Sequence, residues 1–122
     1  MHIASKTDVK QPIHSPWGEI VHELVGAAAQ AGGAAKHSLA SITIPPGKAS
    51  QQHYHNIAEE TYYILRWTAR LVIDGQTYQL SPGQACLIQP PEQHQIFNSG
   101  DDDLEFIAVC TPAWTPDDSV FV

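Results

Sequence analysis

Short runs of alternating apolar and polar residues, broken every few positions by proline or glycine, set the character of this chain. The first is Glu19–Val25, EIVHELV, where Ile20, His22 and Leu24 alternate with the other set. Further runs follow at Ser38–Ile44, Ala49–His55, Thr61–Leu65, Arg70–Ile73, Gln76–Leu80, Ala85–Gln89, Gln93–Asn98 and Leu104–Thr111. Alternation with a period of two points successive side chains to opposite faces, so each run predicts a β-strand with one inward face. Pro45-Pro46-Gly47, Ser81-Pro82-Gly83, Pro90-Pro91 and Ser99-Gly100-Asp101 close four of them. Asp74-Gly75, between LVI and QTYQL, predicts a two-residue hairpin, because a type I′ turn requires two residues tolerant of positive φ. The small-residue stretch 26–36, GAAAQAGGAAK, reads as a loop rather than a short helix, since Gly32 and Gly33 sit inside it.

Strand signals at spacings of roughly 8–12 residues, with no amphipathic helix among them, predict an antiparallel barrel or sandwich. The chain of 122 residues is the size of one domain, and no internal repeat or low-complexity linker divides it. The expected organisation is a polar N-terminal arm over 1–18, an all-β barrel over 19–112, and a C-terminal tail over 113–122 that packs on the barrel. Trp114 is the residue expected to clamp that tail, across the barrel or across a partner subunit.

Composition narrows the partners. The net charge of −7, from 13 acids against 6 bases, argues against a nucleic-acid-binding face. No run approaches the roughly 20 apolar residues of a membrane span, and the first residues show no apolar segment of a secretory signal. Cys86 and Cys110 lie in apolar runs without CxxC spacing and read as reduced, buried thiols, which suits a cytoplasmic protein. The runs Asp101-Asp102-Asp103 and Asp117-Asp118 read as a turn and a solvated tail.

Chemistry enters with the histidines, of which there are seven. His53 and His55 are two apart in a strand-like segment, so both rings face the same way. Imidazole is a good ligand for Zn, Fe, Ni, Cu and Mn. Glu60 can return a carboxylate to the same point across a short turn, and His94 begins a later strand that a barrel can bring alongside. An HxH pair alone is more often a surface or core pair than a metal site. His2, His14, His22 and His37 have no partner at ligand spacing.

The surrounding pattern changes those odds. Gly47, five residues, His53-Tyr54-His55, four residues, Glu60, six residues and Trp67 follow the spacing G-x5-HxH-x3,4-E-x6-G. Gly83, five residues, Gln89-Pro90-Pro91, two residues, His94, three residues and Asn98 follow G-x5-PxG-x2-H-x3-N. On these residues the stretch 38–112 resembles the cupin superfamily. The resemblance implies a double-stranded β-helix, or jelly-roll barrel, with one divalent transition metal (Mn, Fe, Ni or Zn) on His53, His55, Glu60 and His94. Glu60 fits the register better than Glu59, which then faces solvent. Trp67 replaces a turn glycine, Arg66 stands where an acid is usual, and Gln89 and Pro91 replace the proline and glycine of the second motif. These departures bear on loop shape rather than on the metal. Small members of the superfamily pair through an outer sheet, which implies a homodimer.

Extending the alternation from the ligands predicts a pocket lined by Gln51, Tyr62, Ile64 and Ile96. Tyr62 is the candidate catalytic side chain beside Glu60, as a hydrogen-bond donor or weak acid; the competing reading is a core aromatic. Tyr54 and Tyr63 fall on the outer face, and Asn98 is expected at a turn. The expected function is a small metalloenzyme for an oxygenated organic substrate, with dioxygenase or oxidoreductase chemistry ahead of isomerase or lyase chemistry on a sugar-like substrate. The alternative is a metal-dependent small-molecule-binding protein without turnover.

Overall fold

The computed structural model describes residues 1–30 and 32–122; Ala31, in the loop expected over 26–36, lies outside the described residues. Among the described residues eleven strands run β1 (Ile13–His14), β2 (Ile20–Val25), β3 (Ser38–Ile44), β4 (His53–His55), β5 (Glu59–Arg66), β6 (Ala69–Ile73), β7 (Gln76–Leu80), β8 (Ala85–Ile88), β9 (His94–Phe97), β10 (Leu104–Thr111) and β11 (Ser119–Phe121). They form a six-stranded sheet, β1-β2-β3-β10-β5-β8, and a five-stranded sheet, β11-β4-β9-β6-β7. Every strand pairing is antiparallel. Two jelly-roll sheets therefore enclose one core, as expected for the double-stranded β-helix. Among the described residues no helix is long and apolar enough to cross a membrane.

Alternation explains which residues fill the barrel. On β3, Ser38, Ala40, Ile42 and Ile44 are buried, and on β10, Leu104, Phe106, Ala108 and Cys110. On β5 the inward set is Glu60, Tyr62 and Ile64, while Glu59 is exposed. Leu71 and Ile96 from the opposite sheet complete the apolar cluster with Phe106 and Ile64. The Asp74-Gly75 turn has φ of 47° and 82°, the two positive values that the hairpin requires.

The ends of the chain are more structured than their composition suggests. β1 pairs with β2 through Ile13↔Val21 and His14↔Ile20. β11 pairs with β4, setting Ser119 against His55 and Phe121 against His53. Asp118 is not part of a solvated tail. Its carboxylate accepts hydrogen bonds from the backbone N–H groups of Asn56, Ile57 and Ala58 at 3.1, 2.9 and 3.0 Å. The segment expected as a strand over 49–55 is regular only at His53–His55, with Ala49 held by isolated bridges to Gly18 and Phe97.

Trp67 keeps the left-handed turn of the glycine it replaces, with φ of 71°. Its indole covers Gly100, where a Cβ would collide with Nε1. Arg66 points outward to Asp102 at 2.7 Å, and Arg70 stacks 4.0 Å over Phe97. Asn98 is a buried turn residue whose amide donates to the carbonyls of Ile44 and Asp102.

Candidate metal centre

His53 and His55 stand on one face of β4, Glu60 on the inward face of β5, and His94 at the start of β9. Pairing of β4 with β9 sets His53 directly against His94. The five-residue step from His55 to Glu60 crosses between the sheets through the turn that Asp118 holds. One ligand atom from each of the four lies within 4.8 Å of the other three. Glu60 Oε1 is 3.3 Å from both His55 Nε2 and His94 Nε2.

The outer nitrogens of the three rings are committed to backbone carbonyls. His53 Nδ1 lies 2.8 Å from the Gln51 carbonyl, His94 Nδ1 2.9 Å from that of Glu92, and His55 Nδ1 3.3 Å from that of Asp118. A carbonyl only accepts, so each Nδ1 carries the proton and each Nε2 is left for the centre. That donor set, three Nε2 atoms and one carboxylate oxygen, fits a divalent transition metal.

The electrostatics prepare the same outcome. Burial, followed by the neighbouring His94, pushes His53 down to about 4, so its ring is neutral at neutral pH. For Glu60, burial favours the neutral acid, but its contacts with His55 and His94 outweigh it and hold the carboxyl well below its usual range. Burial likewise opposes charge on His55, yet the hydrogen bond and charge of Glu60 raise it above the ordinary histidine value. Without a cation, Glu60 favours a proton on His55, and a metal ion held by these four residues would take the place of that proton.

A cavity of about 290 Å³ opens beside the centre. His53, His55 and Glu60 line it, while His94 is fully buried and does not. Gln51 and Tyr62, expected in the pocket, are among the lining residues. Ile64 and Ile96 are not. They point inward as alternation requires, but they are 0 % exposed and packed one layer deeper, in the apolar core. Tyr62 combines both readings offered for it: it lines the cavity and packs against Phe106 at 4.8 Å between ring centroids. Burial first, and then the charges of Glu60 and Glu19, hold its phenol protonated far above the ordinary tyrosine range.

Sequence reasoning missed contributors from three parts of the chain. Cys110 lines the cavity and its thiol donates to Glu60 Oε2 at 3.1 Å. The inward set Leu104, Phe106, Ala108, Cys110 was the signal that could have found it. Glu19 and Glu23 also line the cavity, as do Ile13, His14, Ser15 and Pro16 of the N-terminal segment. Trp114 and Phe121 close it from the other end of the chain, with Trp114 Nε1 donating to Ser119 Oγ at 2.9 Å.

Over 117 residues the chain is 28% identical to an uncharacterised protein of Methanocaldococcus jannaschii, covering 96% of this chain and 92% of that one. It is 36% identical over 71 residues to an oxalate-binding protein of Thermotoga maritima, covering 58% of this chain and 59% of that protein. A solved Thermotoga maritima structure, described as a predicted oxalate decarboxylase, aligns with a TM-score of 0.75 at 26% identity, over 90% of this chain and 98% of that chain. The family model of the cupin domain matches residues 40–110, the stretch that carries all four ligand side chains, and the chain belongs to the cupin family.

Proposed function

We propose that the protein is a metal-dependent enzyme acting on a small oxygenated organic molecule held beside His53, His55, Glu60 and His94. The observation that carries this reading is the position of the donor set in the wall of a cavity of small-molecule size. When bound, the metal supplies a Lewis acid with coordination positions left for oxygen donors. The residues around it supply the rest. Tyr62 offers a hydrogen-bond donor that stays protonated, and Glu19, raised to about 7 by burial and by the charge of Glu60, offers a group able to take or give a proton near neutral pH. Gln51 can orient a bound oxygen from the cavity wall. These proton-carrying groups favour isomerase or lyase chemistry over the dioxygenase or oxidoreductase chemistry placed first on sequence.

A second reading is metal-dependent binding of a dicarboxylate, favoured by the identity shared with the oxalate-binding protein. A homodimer through the outer face of the six-stranded sheet is part of the proposal, supported by exposed Tyr63, Leu65 and Leu87 on that face. The free thiols of Cys86 and Cys110 support a reducing, cytoplasmic setting.

Elemental analysis of untagged protein tests the core of the reading. Wild type should carry about one transition metal per chain, and His55→Ala combined with Glu60→Ala should carry none. A wild type that neither contains nor takes up Mn, Fe, Ni or Zn would overturn it.

A further inference from the structure

The cavity has a second pole, for which the metal centre has no use. Across β2, β3, β10 and β5 the pairing registers place Glu23, Ala40, Ala108 and Tyr62 in one row. Residues opposite one another on neighbouring strands share a face. The adjacent inward row is Ser38, Cys110 and Glu60, which leads to the metal ligands. The row on the other side is Val21, Ile42, Phe106 and Ile64, whose large side chains fill the barrel. In the middle row only two methyl groups stand between Glu23 and Tyr62. Their backbones are three strand spacings apart, about 14 Å. The alanines are the reason a cavity exists there at all, and Glu23 stands at its far wall.

Glu23 is 8 % exposed and lines the cavity, and among the described residues its Oε2 has no hydrogen-bond partner. Room for the carboxylate comes from Gly26, where a Cβ would lie 3.0 Å from the carboxyl carbon and 2.7 Å from Ser38 Cβ. A buried acceptor without a donor is destabilising, and native proteins leave few of them. Glu19 lies in the same wall, and among the described residues no lysine or arginine lines the cavity. An anionic ligand would therefore meet two further carboxyl groups with no cation to pair with. A ligand hydroxyl, by contrast, supplies the donor that Oε2 lacks.

We propose that Glu23 is the recognition site for the hydroxyl end of an uncharged polyhydroxylated ligand whose other oxygen atoms reach the metal centre. This rests on the metal-dependent reading above and adds the substrate class: a neutral polyol or hydroxycarbonyl compound rather than a dicarboxylate.

Calorimetric titration of the metal-loaded full chain with xylitol, D-ribose and oxalate tests it, in wild type and in Glu23→Gln. One hydroxylated probe should bind tighter than oxalate, and Glu23→Gln should weaken that probe by about tenfold or more while metal content stays unchanged. A second measurement needs no ligand. Glu23→Gln keeps the side chain's shape but removes a carboxyl group whose charge burial disfavours, so it should raise the unfolding temperature of the ligand-free protein, by about 4 °C. Oxalate binding tighter than both hydroxylated probes and indifferent to Glu23→Gln would overturn the inference and leave the metal-dependent reading standing. A fall in unfolding temperature in Glu23→Gln would overturn it too, by showing a structural carboxylate. Fully metal-loaded protein that binds none of the three probes would overturn the inference, whereas absence of metal uptake would remove the reading beneath it.

Discussion

Cys110 holds the free oxygen of Glu60: the thiol donates to Oε2 at 3.1 Å while Oε1 faces His55 and His94 at 3.3 Å. The two residues are directly paired across β10 and β5, so the contact is built into the sheet register. Burial, and then the charge of Glu60, raise the thiol far above its ordinary value, which keeps it a donor rather than a second anion. A carboxylate tied down at one oxygen presents only the other to a metal, and that leaves coordination positions free for a ligand. Cys110→Ala should lower metal affinity by about tenfold, the usual effect of removing a hydrogen bond behind a ligand. Cys110→Ser should recover most of it. The visible absorption of the cobalt-loaded variants reports the coordination directly. An alanine variant with the affinity and spectrum of wild type would show that the thiol only packs.

Asp118 governs the same carboxylate from the other side of the chain's length. Its side chain takes three backbone N–H groups of the turn between His55 and Glu60, and its carbonyl faces His55 Nδ1. Asp118→Ala leaves those donors to water and loosens the step that sets the ligand spacing. Urea denaturation should show a loss on the order of 2 kcal/mol, with a parallel fall in metal affinity. Asp118→Asn keeps an acceptor and should lie between the two.

How these residues escaped the sequence, while the ligands did not, follows from the periods involved. A period of two over five to eight residues is visible, and it allowed only one of Glu59 and Glu60 to face inward; the motif spacing of the resemblance chose Glu60, which is buried on β5 where Glu59 is exposed. Two residues of β1 and three of β11 contain no period to see; those strands exist because the edges of β2 and β4 offer unpaired backbone. Alternation also gives direction without depth. It correctly turned Ile64 and Ile96 inward, but which inward residues face a void depends on the size of their cross-strand neighbours. Tyr62 meets Ala108 and faces the cavity, whereas Ile64 meets Phe106 and is sealed in the core. Trp67 shows a third limit, since a side chain can occupy a glycine's left-handed position where it gains a packing surface, here over Gly100.

Metal should stabilise the fold, and more strongly at higher pH. Three ligands come from the five-stranded sheet and one from the six-stranded sheet, so a shared ion ties the sheets together. Binding to the folded state alone contributes about 4 kcal/mol at a thousandfold excess over Kd. The proton on His55 competes with the metal, because Glu60 raises that ring above the ordinary histidine value. Raising pH from 6 to 8 should therefore increase the difference in unfolding temperature between metal-loaded and chelator-treated protein. The difference should disappear in the His55→Ala, Glu60→Ala double variant. A pH-independent difference would place the metal elsewhere.

Glu19 gives the pH dependence of the metal-free protein a sign of its own. Its carboxyl is raised from 4.5 to about 7, by burial first and by the charge of Glu60 second. An acid whose folded value lies above its unfolded value binds more protons when folded, so stability falls as pH rises between those values. Glu60, held low, acts in the opposite sense: its contribution is present above pH 4.5 and is lost as pH drops towards its folded value. His53, lowered to about 4, also costs stability as pH falls below 6.5, because the unfolded ring takes a proton that the folded one refuses. Glu19→Gln removes one of these effects and leaves the other two. Chelator-treated Glu19→Gln should match wild type near pH 4 and become the more stable protein above pH 7, by on the order of 2 kcal/mol. The gap should open between pH 4.5 and 7. Denaturation curves at half-unit pH steps measure it, and a gap that stays the same across the whole range would mean that Glu19 titrates as an ordinary, solvated carboxylate, alike in the folded and unfolded chain.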